Sequence, residues 1–488
     1  MAKEVTDWED CVKRLSVLIA VLVLGKLGLA ADAPLAWPQF HGPGGSGIAP
    51  AQKPPVELGP DKNVKWKVPV PGGLSSPIVA ADMLVITAFD HGKLYTIAYR
   101  RADGSEAWRA EAPTKQIEPY YKAEGSPAAS TPATDGERIV SYFGSCGLTC
   151  YDLRGKPLWQ FEVPSAVVAG NFGSGTSPIL VDGTVILVRD ETKEPKIIAL
   201  DAATGKVKWD KKRQSFTSYC SPVVWDAPGG KQVVSAGHAR MSGYDLKTGD
   251  EVWSVTGMPS GCCTSPVTAD GVLYFAGWSP GGPDDKDFQV PSFDSQLKEF
   301  DSNHDGALSR EEAEKGLQGF FDSQDSNGDG KVTRDEYERM LKFMAEGKSS
   351  AFALKAGGQG DVTTSHVLWK KTKGLPYISS AIVYEGQLVM VKDGGIVTAY
   401  DAKTGKDIYM ERVAAPGQYY ASLVGANGRI YITALDGSVT VLQAGAEKPV
   451  VLAANPKLGE KTAATPAIAD DTLYIRTEKH LYAFSERK

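Results

Sequence analysis

Histidine, cysteine and methionine are scarce in this 488-residue sequence, at six, six and eight residues. The histidines are scattered, and none pairs with another at metal-ligand spacing. No Cys-x-x-Cys-His stretch occurs, so no c-type haem is attached through that motif. Gly-x-Ser-x-Gly, His-Glu-x-x-His and phosphate-binding loops are also missing, which removes common hydrolase and nucleotide-binding signatures. No basic stripe with interleaved aromatics runs along the chain, so no nucleic acid partner is expected. Glycine and proline are plentiful instead, at 52 and 30 residues, with 9% aromatics. That mixture suits many short strands joined by tight turns. The charged share, 23%, is ordinary and argues against global disorder.

Charge is unevenly placed. From Asp284 to Glu346 the chain holds 17 acids and 8 bases, a net of −9, whereas the whole chain is only −6. Near the N-terminus, Lys13 and Arg14 precede an apolar run from Leu15 to Leu24, and Gly28-Leu29-Ala30 supplies the small residues of a cleavage site. Residues 1–30 therefore read as a signal peptide. The run is too short for a transmembrane helix, so an exported chain, periplasmic or extracellular, is expected, with no transmembrane domain after cleavage. Glu4, Asp7, Glu9 and Asp10 make the leader acidic and Lys26 interrupts it, which leaves an uncleaved anchor as the alternative. No cysteine stands at the cleavage site, which argues against a lipoprotein.

A head-and-tail pattern recurs. The head is a small polar residue, then Pro, then apolar residues and an Asp/Gly turn. The tail is an apolar pair, Asp, a Thr-Gly turn and Trp, cleanest at Ala199-Leu200-Asp201-Ala202-Ala203-Thr204-Gly205-Lys206-Val207-Lys208-Trp209. Heads stand at Pro77, Pro132, Pro178, Pro222, Pro266, Ala381, Leu423 and Pro466. Their spacing is 42–55 residues, except for 115 between Pro266 and Ala381. Six of the seven intervals fit propeller blades, and the seventh calls for an insertion of roughly 70 residues. A tail is left over at Trp66, while the last head has none. The strand around Trp66 is therefore expected to complete the last blade beside Leu481 to Phe484, which removes free sheet edges. The Thr-Gly pair makes the outer hairpin, where Gly takes positive φ cheaply, and Trp fills the space between blades.

These tails resemble the tryptophan-docking motif of quinoprotein dehydrogenases, Ala-x-Asp-x-x-Thr-Gly-Lys-x-x-Trp. Residues 199–209 match it fully, 399–409 with Tyr409 for Trp, and 243–253 with Gly243 for Ala and Asp250 for Lys. Residues 98–108 and 150–159 are degraded copies. The opening Trp37-Pro38-Gln39-Phe40-His41-Gly42-Pro43 is similar to that of bacterial proteins with such propellers. The resemblance implies the fold; it does not choose between quinone-dependent enzymes and non-enzymatic scaffolds, since both occur in the family. In quinoprotein alcohol dehydrogenases an adjacent-cysteine disulfide lies against pyrroloquinoline quinone (PQQ). The resemblance thus points to Cys262 and Cys263 as cofactor-binding residues if PQQ binds. Read as residues alone, they are small buried groups packing inner strands.

The insertion carries two twelve-residue EF-hand loops. Calcium is a hard cation that takes about seven oxygens. The first loop offers Asp301, Asn303, Asp305, the Ala307 carbonyl, Ser309 and Glu312. The second offers Asp325, Asn327, Asp329, the Lys331 carbonyl, Thr333 and Glu336. Gly306 and Gly330 allow the sharp turn at position six. The loops start 24 residues apart. Residues 313–324 then suit one helix leaving the first loop and joining the second, bent at Gly316 or Gly319, which speaks against face-to-face pairing and cooperativity. Leu297, Phe300, Leu317, Phe320, Phe321, Tyr337, Met340, Leu341 and Met344 are expected to form a small core there.

The expected architecture is all-β: an eight-bladed β-propeller closed by its N- and C-terminal strands, with a small α-helical EF-hand insertion. Residues 37–283 and 360–488 form the propeller, and 290–346 form the calcium-binding pair, inserted between blades five and six. The expected function is an exported calcium-binding scaffold with a protein partner. The alternative is a PQQ-dependent alcohol or sugar dehydrogenase, for which no general base, active-site calcium shell or stacking Trp is identifiable.

Overall fold

Alternation of buried and exposed residues sorts the strands by their depth in each blade. Inner strands such as Thr184–Arg189 and Leu473-containing Thr472–Arg476 are buried along nearly their whole length, whereas the outer strand Val207–Lys212 buries mainly Trp209. Strands buried on both faces read as continuous apolar runs, and an edge strand alternates. The computed structural model describes residues 36–168, 172–191, 194–279, 291–316, 321–325 and 329–486. Residues 1–30 and Cys11 lie outside these.

Eight antiparallel sheets follow one another along the chain. Blades one to four span residues 78–111, 133–162, 179–212 and 223–256; blades five to seven span 267–371, 382–412 and 424–455. Blade eight takes three strands from residues 467–484 and its fourth, Val64–Pro69, from the other end of the chain, with Trp66 opposite Ala483 and Val68 opposite Leu481. The seam is the one expected from the unmatched tail at Trp66.

Five docking tryptophans each link a blade to the next, whereas Trp253 donates to Gln232 of its own blade at 2.7 Å. The indole N–H groups of Trp66, Trp108, Trp159, Trp209 and Trp369 donate to the carbonyls of Arg101, Leu153, Ala202, Leu246 and Ala402, at 2.9–3.1 Å. In each case the turn glycine of the following blade lies against the ring. A Cβ on Gly205 would stand 2.6 Å from Trp159, and one on Gly249 2.5 Å from Trp209. The glycine therefore serves two needs at once: φ near +70° and room for the neighbouring indole.

The insertion lies inside blade five. Its second strand, Val272–Gly277, pairs directly with its third, Ser350–Lys355, from Val272 opposite Lys355 to Gly277 opposite Ser350. The arm thus leaves between two hydrogen-bonded strands of one blade, not at the junction of blades five and six, and the propeller resumes at Ser350 rather than 360. The long turn that follows sends a short strand, Gly360–Asp361, to pair in parallel with blade four at Trp253 and Ser254.

Within the arm, helices α1 (Phe293–Phe300), α2 (Arg310–Gly316), α3 (Phe321–Gln324) and α4 (Arg334–Glu346) flank the two loops. Residues 317–320, where a bend at Gly319 was expected, lie outside the described residues. The core holds Phe293, Leu308, Ala313, Phe321, Val332 and Tyr337, with Leu297, Phe300 and Leu341 packed on it. Phe293, Leu308, Ala313 and Val332 were not anticipated, and Leu317 and Phe320 are not described.

Candidate functional site

The two calcium loops stand face to face. Leu308 pairs with Val332 and Ser309 with Lys331 in a short antiparallel ladder, both Leu308 and Val332 being fully buried. This corrects the expectation that the close spacing would prevent pairing. The apolar position eight of each loop drives it, because burying Leu308 and Val332 against each other aligns the backbones between them.

Local hydrogen bonds shape the first loop. Asp301 accepts from the Gly306 and Asp305 amides at 3.1 and 3.3 Å, and Asn303 Oδ1 accepts from the Asp305 amide at 2.9 Å. Glu312 accepts from the hydroxyls of Ser302 and Ser309, each at 2.7 Å, and from their amides. These donors hold its carboxyl well below the usual range, at about 2, so it stays ionised near neutrality. The second loop repeats the pattern. Asp325 accepts from the Asp329 and Gly330 amides, and Glu336 from the Thr333 amide and hydroxyl at 2.9 and 2.8 Å. Asn327 lies outside the described residues. Gly306 and Gly330 hold φ of +80° and +86°. The donor set is all oxygen and anionic, which suits a hard divalent cation. Among the described residues the carboxylates do not converge on one metal point as they stand. One of them, Asp305, also receives the Lys331 ammonium of the other loop at 2.8 Å.

The arm is rooted beside the central channel. Ser279 and Ser349 clasp its neck, amide to hydroxyl at 2.9 Å and hydroxyl to carbonyl at 3.0 Å. Where the arm leaves, Trp278 meets Tyr377 edge-on at 5.1 Å. Where it returns, the Lys348 amide donates to the Met258 carbonyl at 2.8 Å, and Glu346 of α4 pairs with His238 of blade four at 3.0 Å.

The channel is organised by the small polar residue of each head. The amide of Ser76 donates to the Thr131 hydroxyl, Thr131 to Ser177, Ser177 to Ser221, Ser221 to Ser265, Ser265 to Ser380, Ser380 to Ser422, Ser422 to Thr465, and Thr465 back to Ser76. All eight bonds measure 2.9–3.0 Å. The sequence pattern contained these residues, but only closure shows that they form one circuit. Below the circuit, the opening segment crosses the axis: Trp37 and Pro38 carbonyls accept from Val79 and Thr134, and His41 Nε2 bonds the Leu423 carbonyl at 2.8 Å. Burial pushes the His41 imidazole down to about 4, so it is neutral there.

Above the circuit is a cavity of about 220 Å3, with Phe40 in its lining. Extended chain alternates sides, so the residues two before the hydroxyls, among them Leu74, Tyr219, Cys263 and Tyr420, also face it. This alternation separates the cysteine pair. Cys263 lines the cavity, while Cys262 is buried with Cys220, Met258 and Phe275 in the core between blades four and five. Cys146, Cys150, Cys220, Cys262 and Cys263 are all free thiols, and burial pushes that of Cys263 up to about 12. PQQ is a planar tricarboxylate. Among the described lining residues there is no lysine, arginine or histidine, and there is one carboxylate, Glu124. Burying three anions without a cation is costly, so the cavity does not fit PQQ.

A family model described as outer membrane protein assembly factor BamB matches residues 56–166, 92–276 and 359–487. An EF-hand model matches residues 293–314 and 317–341. No curated protein matches the sequence. Among solved structures, BamB from Moraxella catarrhalis is 13% identical, with a TM-score of 0.52 over 86% of this chain and 96% of that one. A europium-containing methanol dehydrogenase is 11% identical, with a TM-score of 0.57 over 93% and 99%. Quinohemoprotein alcohol dehydrogenase from Comamonas testosteroni is 13% identical, with a TM-score of 0.52 over 94% and 82%. At these identities the likeness concerns the fold. No helix among the described residues is long and apolar enough to cross a membrane.

Proposed function

Because the chain belongs to the PQQ-type propeller-repeat family whose model is described as outer membrane protein assembly factor BamB, we propose that it is an exported, calcium-binding scaffold that presents loops to a protein partner. The observation that carries this reading is the paired EF-hand arm, closed at its neck by Ser279 and Ser349 and held to the ring by Lys348 on Met258 and Glu346 on His238. Calcium binds Asp301, Asn303, Asp305, the Ala307 carbonyl, Ser309 and Glu312 in one loop, and Asp325, Asn327, Asp329, the Lys331 carbonyl, Thr333 and Glu336 in the other. Binding joins residues from both ends of each loop and so stiffens the arm. Outside the cytoplasm an affinity on the order of 10⁻⁴–10⁻³ M suffices.

The quinone-dependent dehydrogenase reading draws support from the docking motifs and from Cys263 on the cavity wall. The uncompensated charge that PQQ would bring weighs against it.

The test is calcium calorimetry on Glu312→Gln, Glu336→Gln and the double variant. Each single variant is expected to lose one site and the double variant both, with the propeller still folded, since the arm is an insertion. Two calcium ions bound by the double variant at unchanged affinity would overturn the assignment.

A further inference from the structure

The cavity that rejects an anionic quinone has the chemistry of a cation site. Five aromatic rings line it: Phe40, Phe172, Tyr219, Tyr377 and Tyr420. Phe172 and Tyr219 meet edge to face, with centroids 6.3 Å apart at 88°. Ring faces carry the negative side of the aromatic quadrupole and attract cations. Glu124 stands exposed at the mouth, facing the Tyr420 hydroxyl. Its backbone is set by a tight turn, in which the Glu124 and Gly125 amides both donate to the Tyr121 carbonyl at 3.1 and 2.7 Å. Gly125 packs so closely on the Phe172 carbonyl that no Cβ fits there. No positively charged side chain stands among the described lining residues to oppose a cation.

We infer that the axial cavity binds a small organic cation of the quaternary-ammonium class, its charge held between the Tyr219, Tyr377 and Tyr420 rings and the Glu124 carboxylate. The hydroxyl circuit at the bottom supplies oxygens for a polar tail. Aromatic cages recognise this class because a methylated ammonium loses little hydration on entry yet keeps its full charge.

The probes are choline, its neutral isostere 3,3-dimethyl-1-butanol, and PQQ, each titrated into the full chain at low salt with calcium present. Binding is followed by calorimetry and by the fluorescence of Trp278, which touches Tyr377. Choline is expected to bind saturably, on the order of tenfold tighter than the isostere. Glu124→Gln, an exposed change that leaves the fold alone, is expected to weaken choline by a similar factor and to leave the isostere unchanged. Tyr377→Leu weakens choline and removes the Trp278 response. Equal affinity for choline and the isostere, no saturation by choline at about 50 mM, or saturable PQQ binding would each overturn the inference. None of these outcomes bears on calcium binding by the arm, which is read separately in the Glu312 and Glu336 variants.

Discussion

Gly183 and Gly205 both belong to blade three and adopt nearly the same backbone, φ +66° and +69°. They differ in what surrounds them. A Cβ at 183 meets nothing within 4 Å, whereas one at 205 lies 2.6, 2.7 and 2.9 Å from three carbons of the Trp159 indole. That indole cannot withdraw freely, because its N–H is bonded to the Ala202 carbonyl at 2.9 Å. Gly183→Ala therefore costs only the left-handed backbone penalty, about 1–2 kcal/mol. Gly205→Ala adds overpacking of roughly 1–3 kcal/mol, for a total of about 2–5 kcal/mol. Urea unfolding of both variants in saturating calcium measures the gap between them, provided the slopes of the transitions agree. Equal destabilisation by the two substitutions would refute the claim that blades are registered by indole on glycine.

Lys331→Met removes the ammonium that lies on Asp305. In a Glu336→Gln background, first-loop calcium affinity is expected to rise several-fold at low salt and the gain to shrink at high salt; a calorimetric titration with no change at either salt would show that the contact has no effect. Glu118 is buried, bonded to Ser174 at 2.6 Å, and burial raises its carboxyl from 4.5 to about 7. Its native pKa lies above its unfolded one, so its favourable contribution is complete below pH 4.5 and is lost as pH climbs to about 7. The loss is about 3 kcal/mol. Glu118→Gln should flatten that segment of the stability-against-pH curve, and a slope as steep as in the parent chain would contradict the assignment.

Much of the fold was legible because each blade repeats its own chemistry. Heads and tails marked the blades, and the unmatched tail at Trp66 located the seam. The exact site of the insertion was not legible. The third strand of blade five, Ser350–Lys355, carries no turn signal of its own, and its outer turn lacks the Thr-Gly pair. Loop pairing was misjudged from spacing alone, since the mutual contact of Leu308 and Val332 outweighs the short connection between the loops. The hydroxyl circuit joins residues from different blades, so it exists only after closure. The two cysteines looked like a unit in sequence, yet strand alternation sends them to opposite sides.

The segment from Trp37 to His41 makes the ring a cup and not a tube. Whatever occupies the hollow has one doorway, and displaced water must leave by that doorway too. Arrival and departure are then governed by the same rim, where Trp278, Glu124 and the base of the arm gather. A second macromolecule seated over that rim would trap the occupant without touching it, slowing escape and arrival by equal factors. The resting affinity would be unchanged, and only the clock would differ.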